Sequence, residues 1–229
     1  MSMFFTAHAD CPLCGTHATL EYPASINADR RPDLRAAILD RTLFTTPCAG
    51  CGEALMFDPH ITYLDMARRQ WILADAAGEL DQWHAHETES ERIYQAAFGA
   101  GAPTAARTIG ADLTPRLVFG WPALIEKLLC ADLGLDDIAL EALKLAVIKD
   151  GPEQEFDPAQ ELRLTARWEP NLVFTWIDPV SGSGTKQVTV PESAYVVVKG
   201  GEEAWRPVTA LFAGTMFVDI NRVLRDPAP

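Results

Sequence analysis

Cys11-Pro12-Leu13-Cys14-Gly15 and Cys48-Ala49-Gly50-Cys51-Gly52 decide how the N-terminal part of this chain folds. Each stretch sets two thiols two residues apart, so a single tight turn aims both sulfurs at one point. A glycine follows the second cysteine of each pair, where positive φ turns the next N–H groups toward the sulfurs. Pro12 fixes φ in the first turn, and Pro47 stiffens the approach to the second. Four thiolates at this paired spacing predict one tetrahedral zinc on Cys11, Cys14, Cys48 and Cys51, in a closed structural site. A closed site leaves no position for a substrate or an activated water, so no catalytic residue is expected there. A thioredoxin-like dithiol calls for one pair between a strand and a helix, not two pairs each followed by glycine. Two disulfides require an oxidising compartment. An iron–sulfur cluster uses the same four ligands and stays formally open.

Composition bounds what the rest can be. The chain has 229 residues, 48% apolar and 22% charged, which is enough for a buried core in one large domain or two small ones. Its net charge is −13 and no segment is basic, so phosphate backbones should be repelled. The stretch Met1 to Asp10 lacks the positive and apolar regions of a signal peptide. No apolar run approaches the roughly 18 residues of a membrane span. Five cysteines, four of them in the knuckles, fit a reducing cytoplasm, and Cys130 on a helical pattern reads as a small buried hydrophobe.

Outward from the knuckles, a short strand is expected on either side of each cysteine pair. Pro32, Leu34, Ile38 and Leu39 mark a helix inserted between them, and residues 62–73 offer strand material broken by a turn near Asp65. Thr88-Glu89-Ser90-Glu91 has the form of a capping box for a helix ending at Gly99. Gly99 to Pro103 breaks the periodicity and suggests a module boundary. Pro122 and the run Leu124, Ile125, Leu128, Leu129 begin a helical hairpin whose second helix is capped by Asp136 and closes at Gly151. Residues 161–168, 171–178 and 187–190 form an antiparallel meander, 215–220 a last strand, and 191–199 either strand or helix. The expected class is α+β: a zinc-ribbon-like module with an inserted helix, then an α+β domain of a helical hairpin and antiparallel strands. The expected division is 1–74 for the zinc module, 75–113 for a helical connector and 114–229 for an acidic domain.

Residues from about Asp10 to Leu73 resemble the CpXC domain, a bacterial family named after its paired cysteines. The similarity includes Ser25-Ile26-Asn27, residues 33–40, Leu43-Phe44 and Tyr63-Leu64-Asp65. Lys127-Leu128-Leu129, Gly134-Leu135-Asp136-Asp137 and Glu141-Ala142-Leu143-Lys144 resemble the C-terminal part of longer members. Ala49 stands where the family usually has proline; proline is not a ligand, so the metal site is unaffected. The resemblance implies zinc and fold rather than an activity.

Other polar groups have bland explanations. His84-Ala85-His86-Glu87 could offer ligands to a second metal, but reads as surface polarity ahead of a helix cap. Asp136 and Asp137 suit a helix N-terminus. Ser181-Gly182-Ser183-Gly184 is a hairpin turn, without the lysine of a phosphate loop. Trp121, Trp168, Trp176 and Trp205 complete cores. His8, His17 and His60 are not needed as ligands. The resulting expectation is a cytoplasmic, zinc-stabilised interaction or regulatory protein with a protein partner. A nucleic-acid-binding ribbon, using Arg30, Arg31, Arg35 and Arg41, and an enzyme with a C-terminal pocket are the alternatives.

Overall fold

β1 (Phe4–Asp10) and β2 (His17–Pro23) form a hairpin around the first knuckle, and β4 (Thr45–Pro47) and β5 (Ala54–Met56) one around the second. The computed structural model describes residues 4–150, 159–201 and 203–225. Between the hairpins lie β3 (Ser25–Asn27) and α1 (Pro32–Leu39), with Pro32 in the first turn of the helix as its fixed φ favours. The fold is mixed α+β, as its sequence pattern implies.

A four-stranded sheet of order β3-β6-β7-β8 carries the rest of the N-terminal half. β6 (Ile61–Asp65) and β7 (Gln70–Asp75) form an antiparallel hairpin, whereas β3 runs parallel to β6 and β8 (Thr114–Phe119) parallel to β7. Parallel neighbours need a crossover. The segment between β7 and β8 supplies it as a 3-10 helix (Ala77–Gln82), α2 (Trp83–Phe98) and α3 (Thr104–Ala111). This sheet therefore joins residues on both sides of the 75–113 connector expected from sequence.

α4 (Gly120–Asp132) and α5 (Asp137–Asp150) are the expected helical hairpin, and Asp136 Oδ1 caps α5 by accepting the Ala139 N–H at 2.9 Å. The residues beyond Asp150, including the expected stop at Gly151, lie outside the described residues. β9 (Glu161–Trp168), β10 (Asn171–Ile177) and β11 (Gly184–Pro191) form the meander, followed by α6 (Glu192–Lys199), α7 (Arg206–Ala210) and α8 (Asn221–Arg225). Helix α6 resolves the strand-or-helix ambiguity of residues 191–199. No helix among the described residues is long and apolar enough to cross a membrane.

α4 sits where the apolar clusters meet. Trp121, Leu124 and Leu128 pack with Ile26, Ile38, Phe44 and Tyr63 beneath the knuckles, and Cys130 joins the core under β9–β11. Trp121 packs at a tilt against Phe44, with ring centroids 4.2 Å apart, and donates its indole N–H to Phe57 O at 2.7 Å. The remaining face of α4 is ionic, although wholly buried. Lys144 Nζ lies 2.9 Å from Glu126 and 2.7 Å from Glu141, and Arg163 reaches Glu126, Glu161 and Asp219. Burying ions is costly unless every charge has partners, and here each is held by several.

That layer explains one correction. Residues 215–220 are not a strand: their backbone groups bond to charged side chains instead of a ladder. Glu87 Oε1 accepts the N–H groups of Met216 (2.8 Å) and Phe217 (2.9 Å), Lys127 Nζ donates to Val218 O (2.6 Å), and Glu141 Oε2 accepts from Ile220 N (3.0 Å). A second correction concerns α2, which starts five residues before Thr88. Burial of Leu80 and Trp83 carries the 3-10 turn straight into the helix, and Thr88 donates to His84 O at 2.9 Å from inside it. Trp168 is a third: its side chain is 56% exposed, outside any core, while Trp121 and Trp176 are buried as expected.

The ionic layer gives stability a pH dependence. Burial is the largest influence on Glu141; Lys144 and Lys127 oppose it, Glu126 and Asp219 add to it, and the carboxyl is pushed up to about 7. The folded state then holds more protons than the unfolded one above the ordinary value of 4.5. Stability contributed by this group is complete below that value and is lost as pH rises toward about 7. Asp219 works in the other direction. Arg163 and Lys144 overcome its burial and draw it down to about 2, so its contribution is lost only as pH falls from 3.8 toward 2. Melting temperatures of Glu141→Gln should lack the decline between about pH 4.5 and 7 that the parent shows; an unchanged slope would exclude Glu141 as its source.

Candidate metal centre

The two knuckles repeat one backbone pattern. Cys11 N donates to Thr16 O at 2.9 Å and Gly15 N to Cys11 O at 2.8 Å; Cys48 N donates to Glu53 O at 2.7 Å and Gly52 N to Cys48 O at 2.8 Å. Gly15 and Gly52 have φ of 71° and 77°, the left-handed geometry their position demands. The turns bring all four sulfurs within 4.8 Å of one another, with Cys11–Cys51 at 3.7 Å and Cys14–Cys48 at 3.5 Å. Cys11 and Cys48 are buried in the core beneath, while Cys14 and Cys51 face outward. The predicted ligands thus form one cluster.

Its surroundings favour thiolates on part of the cluster. The Thr16 hydroxyl, 3.2 Å from Cys14 Sγ, and the Thr16 N–H lower the Cys14 thiol to about 6. The N–H groups of Cys51 and Gly50 lower Cys48, the Gly50 nitrogen lying 3.4 Å from its sulfur. At Cys51 the Glu53 N–H draws the thiol down, but the neighbouring sulfurs, Cys14 foremost, together with burial push it up to about 12. Four negative sulfurs at this spacing repel one another, and a cation at their centre removes that repulsion.

The knuckles approach each other at Gly50. A Cβ there would stand 2.2 Å from Thr16 Oγ1 and 3.1 Å from Cys14 Sγ. Gly50→Ala should therefore push the pairs apart and weaken metal binding by about 10- to 100-fold, the equivalent of about 1–3 kcal/mol of overpacking. Gly101→Ala, where a Cβ meets nothing within 4 Å, should leave affinity unchanged. Competition against a chromophoric chelator measures both; equal affinities would contradict the close approach.

These features define a protein with two cysteine knuckles whose four sulfurs could hold a metal ion. The CpXC protein family matches residues 9–144, more than half of the chain, and the chain belongs to that family. No curated protein and no solved structure matches it.

The other sequence candidates are dispersed. His17 lies 2.9 Å from Asp10 and stacks on His8, both on the β1–β2 hairpin away from the sulfurs. His84 stacks on Trp83, and Glu87 ties down residues 216–217 and Arg222, so the His84–Glu87 set is not a cluster. Nor is it surface polarity: His86 is half-buried and hydrogen-bonded to Asp75. Asp137 sits in the first turn of α5, as expected, and also pairs with Lys127 and Arg116, whose charges outweigh its burial and hold its carboxyl well below the usual range. Ser181 to Gly184 closes a hairpin whose turn is held by Asp178 accepting from Val180 and Ser181. Cys130 is buried, as expected, and burial pushes its thiol up.

Sequence reading missed a cleft of about 630 Å³ at the turn between β6 and β7, where Arg68, Arg69, Arg116 and Lys127 face the α4–α5 junction. Beside it, Tyr63 donates to Asp65 at 3.0 Å, and Asp132 accepts from both Arg35 and Arg68 at 2.6 Å. This joins α1 to the end of α4. Tyr63, Asp65, Lys127 and Asp137, singled out by the family resemblance, meet around this cleft and its ionic floor. No spacing in the sequence marks that meeting, because the residues come from three separate elements, β6, α4 and α5.

Proposed function

We propose that the chain is a zinc-binding, non-enzymatic interaction or regulatory protein of the cytoplasm, in which a single structural zinc on Cys11, Cys14, Cys48 and Cys51 organises the N-terminal half. One observation carries this reading. With zinc–sulfur bonds of about 2.3 Å, the edge of a regular tetrahedron is about 3.8 Å, and the sulfurs stand 3.5 and 3.7 Å apart in two of their pairs. Four sulfurs fill the coordination sphere, so the ion neither activates water nor polarises a substrate. Five unpaired thiols suit a reducing compartment.

A protein partner fits the surface better than a nucleic acid. Of the four arginines that could form a basic footprint, Arg31 pairs with Asp33, Arg35 with Asp132 and Arg41 with Gly182 O, so their charges are committed within the chain. The tip of the first knuckle instead presents Leu13, 70% exposed, and β1 presents Phe4 and Phe5. Apolar side chains held on a rigid metal knuckle are suited to contact with another protein.

The zinc assignment is open to direct test. Protein purified without added metal should carry zinc and resist alkylation at Cys11, Cys14, Cys48 and Cys51 until the metal is removed. Cys14→Ser should lower melting temperature and zinc content together. Four freely alkylated cysteines in the native, purified protein would rule out the assignment, and low-salt titration with labelled DNA and RNA should show no binding.

A further inference from the structure

Away from the sulfurs, four elements bring imidazoles and carboxylates together at the opposite end of the β6–β7 hairpin from its turn. His60 precedes β6 and Asp75 ends β7, so the register Ile61–Ala74 sets them side by side. Glu79 enters from the 3-10 helix and His86 from α2. His60 Nδ1 lies 3.8 Å from Asp75 Oδ1, and the ligand atoms of His60, Asp75 and Glu79 are all within 4.8 Å of one another. His86 Nδ1 lies 2.7 Å from the other Asp75 oxygen, its ring held edge-on against Phe119.

A second observation bears on these residues. Glu79 Oε2 is closed to solvent and has no hydrogen-bond partner among the described residues. Buried carboxylate oxygens are rarely left so, because the lost hydration has to be replaced by a donor or a cation. Here the neighbouring carboxylate of Asp75 makes matters worse by repulsion.

We propose that His60, Asp75 and Glu79 hold a second divalent first-row cation, with His86 as the outer partner that orients Asp75. The donor set, one imidazole and two carboxylates, is the nitrogen–oxygen type that suits zinc, cobalt(II) or manganese, in contrast to the thiolate site. Tetrahedral ligation at about 2.1 Å places such atoms about 3.4 Å apart. The His60–Asp75 separation has to close by less than half an ångström, and His60, whose side chain is 49% exposed, is free to make that movement. Hydrogen-bonded support of a ligating carboxylate is a usual feature of metal centres, and His86 provides it. Three protein ligands leave a coordination position open, so this centre, unlike the sulfur site, has room for a small molecule.

Cobalt(II) is the probe, added to full-length protein whose cysteine site is already filled with zinc. The site should take up one equivalent, with ligand-field bands of a nitrogen–oxygen environment and no sulfur charge-transfer band. His60→Ala should abolish uptake, Glu79→Gln should weaken it at least tenfold, and His86→Ala should weaken it about 10- to 100-fold. Zinc content and melting temperature of the metal-free second site should be unchanged in Glu79→Gln, which keeps the shape of the side chain. No cobalt uptake by the parent, or uptake that His60→Ala and Glu79→Gln leave unaltered, would overturn the proposal.

Discussion

Two cysteine pairs separated by 33 residues have to meet at one point, and the arrangement of the N-terminal half follows from that meeting. The intervening chain is long enough to hold β2, β3 and α1. A metal closing it, as proposed, would act as a cross-link, removing loop entropy that the small apolar cluster beneath would otherwise have to offset. Cys11 and Cys48 are themselves part of that cluster, beside Ile26, Ile38 and Phe44. The four sulfurs and the side chains that exclude water are therefore supported by the same turns.

α4 transmits this organisation to the rest of the chain. Its apolar face rests on the cluster below the knuckles, and its Glu126 and Lys127 enter the buried ionic layer with α5, β9 and residues 216–221. An apolar surface alone would bind the two halves without fixing their register. The ionic layer adds directional constraints, because Glu126 Oε1 must meet Leu164 N and Glu141 Oε2 must meet Ile220 N. Losing one partner would strand an opposite charge where water cannot reach it.

Much of the fold is legible in the sequence because its signals are local. Knuckle spacing, Pro32, the Asp136 cap and the β-rich meander each depend on residues close together in the chain. Structure and sequence pattern differ where a distant group decides the outcome. Residues 215–220 carry strand-forming side chains, but Glu87, Lys127 and Glu141 take their backbone groups. Thr88 to Glu91 has a cap's composition, yet the burial of Leu80 and Trp83 sets the start of the helix earlier. His60 and His86 are 26 positions apart and gain meaning only through Asp75, which lies between them. The clustering of the four sulfurs is legible in the knuckle spacing; the ionic layer and the arginine-lined cleft are not, since no short spacing encodes either.

Hydrogen exchange before and after removal of the metal tests the central claim most directly. If the sulfur site organises the N-terminal half, amides of the two knuckles, β4, β5 and α1 should lose protection when the metal is stripped, while those of β9 to β11 keep theirs. Knuckle amides equally protected with and without metal would contradict the account.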